Sequence, residues 1–275
     1  MSIAVPVTPY PVNLVQDEKE LYQFLHACQE RSTGNGTSPI ISVTQKIDPI
    51  DPLRVLKAIS ASYPFHFYWE SSRKDEAILS YGIATSLKFD GTERFAKAQQ
   101  FIERCQQRIT KVGEAVEATP LLLCYFTFFE STDRYAQVFP SANVVLPQFQ
   151  IIKKYRKYFL NINIAIQPEQ NLFPILELIV KHQNFLQRLD KESDLGLSKY
   201  ADLNSANYKI YPSTNFKDSV ASALKSIELN KFSKIVLAHA LDVISPQSFQ
   251  IVNCLKNLRQ RHPDCYIFSV SNGDG

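Results

Sequence analysis

Glycine is scarce in this chain, with eight in 275 residues. None of the eight forms a G-x-G-x-x-G or Walker run, so the sequence offers no phosphate-cradling loop. "GNG" at Gly34 to Gly36 is a loop signal and nothing more. The five cysteines, Cys28, Cys105, Cys124, Cys254 and Cys265, are odd in number, widely spaced and without a C-x-x-C pair. They read as small buried thiols in a reducing compartment rather than as a disulfide framework or a metal site. No apolar run is long enough to span a bilayer. The opening "MSIAVPVTPYPVNLVQDEKE" has no basic segment leading into an apolar one, and it is short of Arg and Ser before it turns acidic. No secretory or transit signal is read, and a cytoplasmic location without a membrane partner follows by default. The formal charge of +3 is small for this length, and no Lys/Arg block is dense enough for a nucleic-acid footprint. The most basic run, "IIKKYRKYF", is more simply two strands around a turn near Lys154 with a solvated face.

What is present is a globular composition, 45% hydrophobic and 21% charged. The length allows one large domain or two ordinary ones. "DEKELYQFLHACQERS" sets Leu21, Phe24, Leu25 and Cys28 on one helical face. "IISVTQKI" reads as a strand. "DPIDPLRVLKAIS" opens a helix with Asp51 as N-cap and Pro52 in the first position. "FHFYWE" and "EAILSYGIATSLKF" are two strands around the turn "SSRKD". "GTERFAKAQQFIERCQQRITKV" is a long amphipathic helix, with Phe95, Ala98, Ile102, Cys105 and Ile109 on its buried stripe. "LLLCYFTFF" is a buried strand by density, and "NVVLPQFQIIKKYRKYFLNINIAI" gives two more. "NLFPILELIVKHQNFLQRLDKES" is helical after Pro174, and a polar linker, "SDLGLSKYADLNSANYKIYP", follows. Beyond it "STNFKDSVASALKSIELN" stacks Phe216, Val220, Leu224 and Ile227 on one helical side. A strand "KIVLAHALDV", a helix "SFQIVNCLKNLRQRH" and a strand "CYIFSVS" complete an α/β layer. The closing "SNGDG" is hairpin-turn chemistry without a return strand, and reads as the front portion of a longer polypeptide.

Alternation along "FSKIVLAHALDV" places Lys234, Val236, Ala238, Ala240 and Asp242 on a slim face. Ile235, Leu237, His239, Leu241 and Val243 form a bulky one that should pack on helices. The slim face leaves room beside Lys234, yet a lysine opening a strand is ordinarily a solvated stem. His239 reads as a satisfied core histidine. The residues alone lead to an α/β protein without an assigned activity.

The order helix, "FSKIVLAHALDV", helix, "CYIFSVSNGDG" resembles the start of the chorismate-binding fold. Within that superfamily the chain is similar to the isochorismate synthases of the quinone pathway. "FHFYWESSRKDEAILSYGIA" is similar to the family's Tyr-Trp strand and the Gly-containing strand after it. "FPSANVVLPQFQIIKKYRKYFLNINIAI" is similar to its Leu-Pro strand pair, and "KIVLAHALDV" to its Lys-Val-Val-Leu-Ala-Arg strand. The resemblance implies an α+β chorismate-binding (anthranilate synthase component I-like) fold, with layered sheets flanked by helices and truncated at the C-terminus. Residues 1–205 would form the N-terminal part, and residues 206–275 the beginning of an incomplete chorismate-binding core. It implies an isomerase that converts chorismate to isochorismate for menaquinone or phylloquinone biosynthesis.

In the resemblance Lys234 is the general base. Members that add water carry Lys at that position, and members that add ammonia typically carry Gln. An unperturbed lysine titrates near 10.4, so a working base requires a pKa lowered by burial or a neighbouring cation. The family's cofactor is Mg²⁺, and its ligands, with the general acid, are expected beyond Gly275. No metal or cofactor ligand is therefore assigned to this chain, and Asp242 and Glu228 are poor substitutes. The family's arginine is His239 here, on the face away from Lys234. The small-molecule partner is chorismate, the expected oligomeric state is a monomer, and the fragment alone is expected to be inactive. A salicylate synthase and a non-catalytic binding module of the same fold are the alternatives, and Lys234 disfavours an anthranilate-type synthase.

Overall fold

The computed structural model describes residues 18–32, 38–113, 118–130, 139–191, 209–212, 215–246 and 249–272. The chain divides into two compact units, Met1–Ser193 with Leu255–Gly275, and Asp194–Cys254.

In the first unit, α1 (Glu18–Ser32) is followed by β1 (Ile40–Ile47), α2 (Pro52–Ile59), β2 (Phe65–Ser71), β3 (Glu76–Phe89) and α3 (Arg94–Arg108). Then come β4 (Ile109–Gly113), β5 (Leu123–Phe126), β6 (Ala142–Lys154), β7 (Lys157–Ala165) and α4 (Phe173–Lys191). The second unit holds β8 (Lys209–Pro212), α5 (Phe216–Glu228) and β9 (Leu241–Ile244); α6 (Ile251–Arg261) and β10 (Tyr266–Asn272) follow. Eight strands form one mixed sheet in the order β10-β2-β3-β6-β7-β1-β4, with β5 pairing the start of β6. All its pairs are antiparallel except β1 with β4. The architecture is thus α+β, a large sheet flanked by helices.

Period-two alternation gives this sheet two unlike faces. One cross-strand row reads Val43, Ile162, Phe149 and Tyr81, all buried. The α4 side chain His182 stacks on this row, with ring centroids 3.8 Å from Phe149. The next row reads Thr44, Asn161, Gln150 and Ser80 on the opposite face. At the far end of that face α3 closes over Ile40, Leu146, Phe89 and Val144.

Local signals account for most of these elements. The Leu53 backbone N–H donates to Asp51 Oδ1 at 3.0 Å, the expected N-cap, with Pro52 in the first turn. Tyr155 and Arg156, with φ of 49° and 62°, form a two-residue β6–β7 turn of the primed kind. Gly113 ends β4 at φ 92°, where a Cβ would lie 2.0 Å from the Thr44 carbonyl oxygen.

Several expectations are corrected. The α3 helix stops at Arg108, because Ile109, Thr110 and Val112 are β-branched and pair in parallel with β1. Phe95, placed on the buried stripe, is 55% exposed, its ring tilted against that of Phe126 with centroids 4.8 Å apart. "LLLCYFTFF" forms a strand only over Leu123–Phe126, half-exposed, and Phe128 and Phe129 are exposed. Of the cysteines, Cys28 and Cys105 are buried, whereas Cys124 and Cys265 are exposed. The linker contains β8 at its end; most of the rest of it, like the "GNG" loop and most of "SNGDG", lies outside the described residues. The strand expected over Lys234–Val243 forms a ladder only from Leu241, where β9 pairs with the four residues of β8. The α/β layer read at the end of the chain is not one layer, because β9 belongs to the β8–β9 sheet and β10 to the large sheet.

Candidate functional site

Lys234 lies in the second unit, on a segment without ladder pairing that leads from α5 to β9, and it is exposed. Its slim-face neighbour Val236 is 82% exposed. On the bulky face Leu237 is exposed, and His239 stacks on Phe216 of α5 with ring centroids 4.9 Å apart. His239 is exposed as well, so the satisfied core histidine is replaced by a surface stack. Asp242 stands opposite Tyr211 in the β8–β9 ladder, and Glu228 is the last residue of α5; both are exposed. Among the described residues no group of three or more His, Cys, Asp or Glu side chains could hold a metal ion. The described residues therefore do not fit an Mg²⁺ site, and no chemical step is derived through one.

The first unit contains two concentrated groups of titratable side chains. In one, Arg259 of α6 donates from Nε to Glu70 Oε2 at 2.7 Å, and from Nη1 and Nη2 to the Asp51 carboxylate at 2.9 and 2.8 Å. Its Nη2 also donates to the Tyr68 oxygen at 2.9 Å, and the Tyr68 O–H donates to Glu70. Burial alone would raise the Asp51 carboxyl, but the Arg259 guanidinium holds it below the usual carboxylate range. Burial likewise opposes the Arg259 charge, and the bonds to Asp51 outweigh it. Tyr68 is pushed up, chiefly by burial. The N-cap of α2, β2 and α6 are thereby tied together by one fork-shaped cation. Asp51 and Glu70 precede Arg259 by 208 and 189 residues, and no local pattern announced the pairing.

In the other group, Tyr81 and His182 share a hydrogen bond inside the core. Burial lowers the His182 pKa to about 4 and raises Tyr81 well above its ordinary value. The Thr44, Asn161, Gln150 and Ser80 row adds neutral amides and hydroxyls. Gln150 there donates to the Leu121 carbonyl and accepts from its N–H, both at 3.0 Å. These contacts orient the interior, although Asn161 in the row has no hydrogen-bond partner for either side-chain amide atom; the one hydroxyl–imidazole pair described here, Tyr81 with His182, is buried in the core. Two open grooves line the same unit, one of about 600 Å³ beside Gln45, Asp48 and Gln183, the other of about 740 Å³ beside Tyr22, Phe173 and Val180. No described hydrogen bond or ion pair brings Lys234 together with another titratable side chain.

The family described as chorismate binding enzyme matches residues 23–275. The chain is 25% identical over 270 residues to the salicylate biosynthesis isochorismate synthase of Pseudomonas aeruginosa, covering 92% of this chain and 53% of the relative. It is also similar in structure to MenF, the menaquinone-specific isochorismate synthase from Escherichia coli. There the TM-score is 0.51 at 17% identity, over 90% of this chain and 52% of that one. The chain thus spans about half the length of the curated relative it matches.

Proposed function

The chain belongs to the chorismate-binding enzymes, and from that premise we propose that it is part of an isochorismate synthase. Water attacks C2 of the chorismate ring, the ring double bonds shift, and the C4 hydroxyl departs. A C2–O bond forms as the C4–O bond breaks, and the proton lost by water equals the proton needed by the leaving hydroxyl. The observation that carries this reading is the similarity to the P. aeruginosa synthase across nearly the whole chain. Lys234 is the residue proposed to take the proton from water. Its amine can do so only when uncharged, which requires burial or a neighbouring cation in the complete synthase. Mg²⁺ belongs to the proposal for the complete synthase, where it would supply Lewis-acid chemistry; no ligand for it is assigned to this chain. The product is proposed to enter quinone biosynthesis. A destination in salicylate biosynthesis is the second reading, favoured by the name of the P. aeruginosa relative.

The test is turnover of chorismate with Mg²⁺ by a synthase of full family length that carries this chain, with products resolved chromatographically. Lys234→Ala and Lys234→Gln are expected to lower the rate by about 10²–10⁴-fold and to leave far-UV circular dichroism unchanged. Near-normal turnover by either variant overturns the role of the lysine. Accumulation of salicylate and pyruvate in place of isochorismate overturns the isomerase reading in favour of a salicylate synthase.

A further inference from the structure

Polar side chains are fully buried on one face of the large sheet: Ser42 and Thr44 of β1, Asn161 and Asn163 of β7, Gln150 of β6 and Ser80 of β3. The Gln150 side of this group is bonded throughout. Its amide meets the Leu121 backbone and donates to Ser80 Oγ at 3.3 Å. Asn163 Nδ2 donates to the Pro147 carbonyl at 2.8 Å. The β1–β7 side is different. Ser42 Oγ, Oδ1 and Nδ2 of Asn161, and Oδ1 of Asn163 are buried without a hydrogen-bond partner in the protein. Ser42 stands directly opposite Asn163, and Asn161 stands opposite Thr44 on the next same-face pair. The unpartnered atoms therefore share one small patch. Apolar clusters flank it on the same face, with Ile40 and Leu146 in one and Ile152 and Phe159 in the other.

We propose that this patch is a binding site for internal water, with about two molecules that bridge Ser42, Asn161 and Asn163 and make about three hydrogen bonds each. The chemistry of the atoms selects the occupant. The Ser42 hydroxyl and the Asn161 amide each offer a donor and an acceptor, and Asn163 Oδ1 offers an acceptor, so the occupant must both donate and accept. None of the polar side chains named on this face is charged, so an ion of either sign finds no compensating charge there. An apolar occupant leaves every one of these atoms unpaired. Side chains facing each other across an antiparallel pair have Cβ atoms about 5 Å apart, a separation that one water bridges. The waters tie β1 to β7 through side chains as well as through the ladder, and they let a polar patch persist inside the core. The inference is independent of the proposed catalytic reading.

The test is a high-resolution crystal structure of the 275-residue chain, joined to oxygen-17 relaxation dispersion, which counts waters held longer than the protein's tumbling time. Water density within hydrogen-bond distance of Asn161 Oδ1 and Nδ2 is expected. Asn161→Leu, close in volume and unable to hydrogen-bond, is expected to remove about two long-lived waters and to lower the urea unfolding midpoint. Ser42→Ala is the milder variant, expected to remove about one while keeping the fold, and it carries the count alone if Asn161→Leu does not fold. The sign of the midpoint shift separates the alternatives, because deleting an amide that is unpaired in solution stabilises the fold. The proposal is overturned by a midpoint that rises in Asn161→Leu, or by a water count that is the same in the parent chain and in Ser42→Ala. It is equally overturned by density for an organic molecule on the patch, or by the absence of density at the Asn161 amide.

Discussion

Helices α1 and α5 carry the same kind of apolar stripe and meet opposite fates. On α1 the side chains of Leu21, Phe24, Leu25 and Cys28 are all buried. On α5 the corresponding stripe is Phe216, Val220, Leu224 and Ile227, and no residue of the helix is buried. The contrast extends to the units that contain them. The first has an interior that runs across the sheet from Val43 to Tyr81 and up into α4. The second exposes Leu229, Phe232, Val236, Leu241, Val243 and Ile244. An amphipathic pattern states which face of an element prefers burial; whether that face is buried depends on what packs against it. In the first unit the covering layer is present, and the hydrophobic effect is collected there.

Truncating the centre of the first unit tests that contrast most severely. Phe149 is fully buried and touches Tyr63, Tyr81 and His182. Phe149→Ala is expected to lower unfolding stability by about 4 kcal/mol, read as the shift in a urea unfolding midpoint. A loss below about 1 kcal/mol would mean that this interior is as loosely packed as the α5 stripe. Acid should reach the same place. The unfolded chain binds a proton at the ordinary histidine pKa near 6.5, whereas burial holds His182 near 4 in the fold. Between those values the unfolded state carries more protons, so stability is highest above pH 6.5 and declines as pH falls toward 4. The full effect is about 3 kcal/mol at most. Urea midpoints at pH 7 and pH 4.5 measure it, and His182→Gln should flatten the dependence; an equal slope in that variant would place the titrating group elsewhere.

Legibility in the sequence divides along the same line. Short apolar runs rich in β-branched or aromatic residues, such as β1 and β7, and the capped start of α2 are legible because their signals are local. The α3–β4 junction was not, since Ile109 continues a helical period and also begins a β-branched run, and parallel pairing with β1 decides between them. Arg259 and its partners were invisible, because nothing near residue 259 indicates a carboxylate at 51 or 70. Lys234 stands out through resemblance, and of the strand expected around it only Leu241–Val243 joins a ladder, with β8. A local signal suffices where a run suits one element type; where pairing or cover from a distant part of the sequence decides, as at Ile109 and Phe95, periodicity alone misplaces residues.

A smaller effect separates strain from packing within the first unit. Tyr155 and Arg156 both hold positive φ in the β6–β7 turn, a conformation that favours Asn and Gly. Replacing them with Tyr155→Asn and Arg156→Gly is expected to raise stability by about 1 kcal/mol, seen as a higher urea midpoint with unchanged slope. A lower midpoint would show that the exposed Tyr155 ring contributes more by contact than its backbone costs.

The smallest expected effect bears most directly on the second unit. Leu224 occupies the middle of the α5 stripe but is 55% exposed. Leu224→Ala removes side-chain carbons that already touch water, and alanine is the better helix former, so the two changes nearly cancel. The expected loss is under about 0.5 kcal/mol. The same substitution at a buried leucine such as Leu25 is expected to cost about 3 kcal/mol. If hydrogen exchange across 216–228 quickened strongly in Leu224→Ala, or the unfolding midpoint fell as far as for Leu25→Ala, the α5 stripe would be covered in solution. The difference between the two units would then be one of partner rather than of packing.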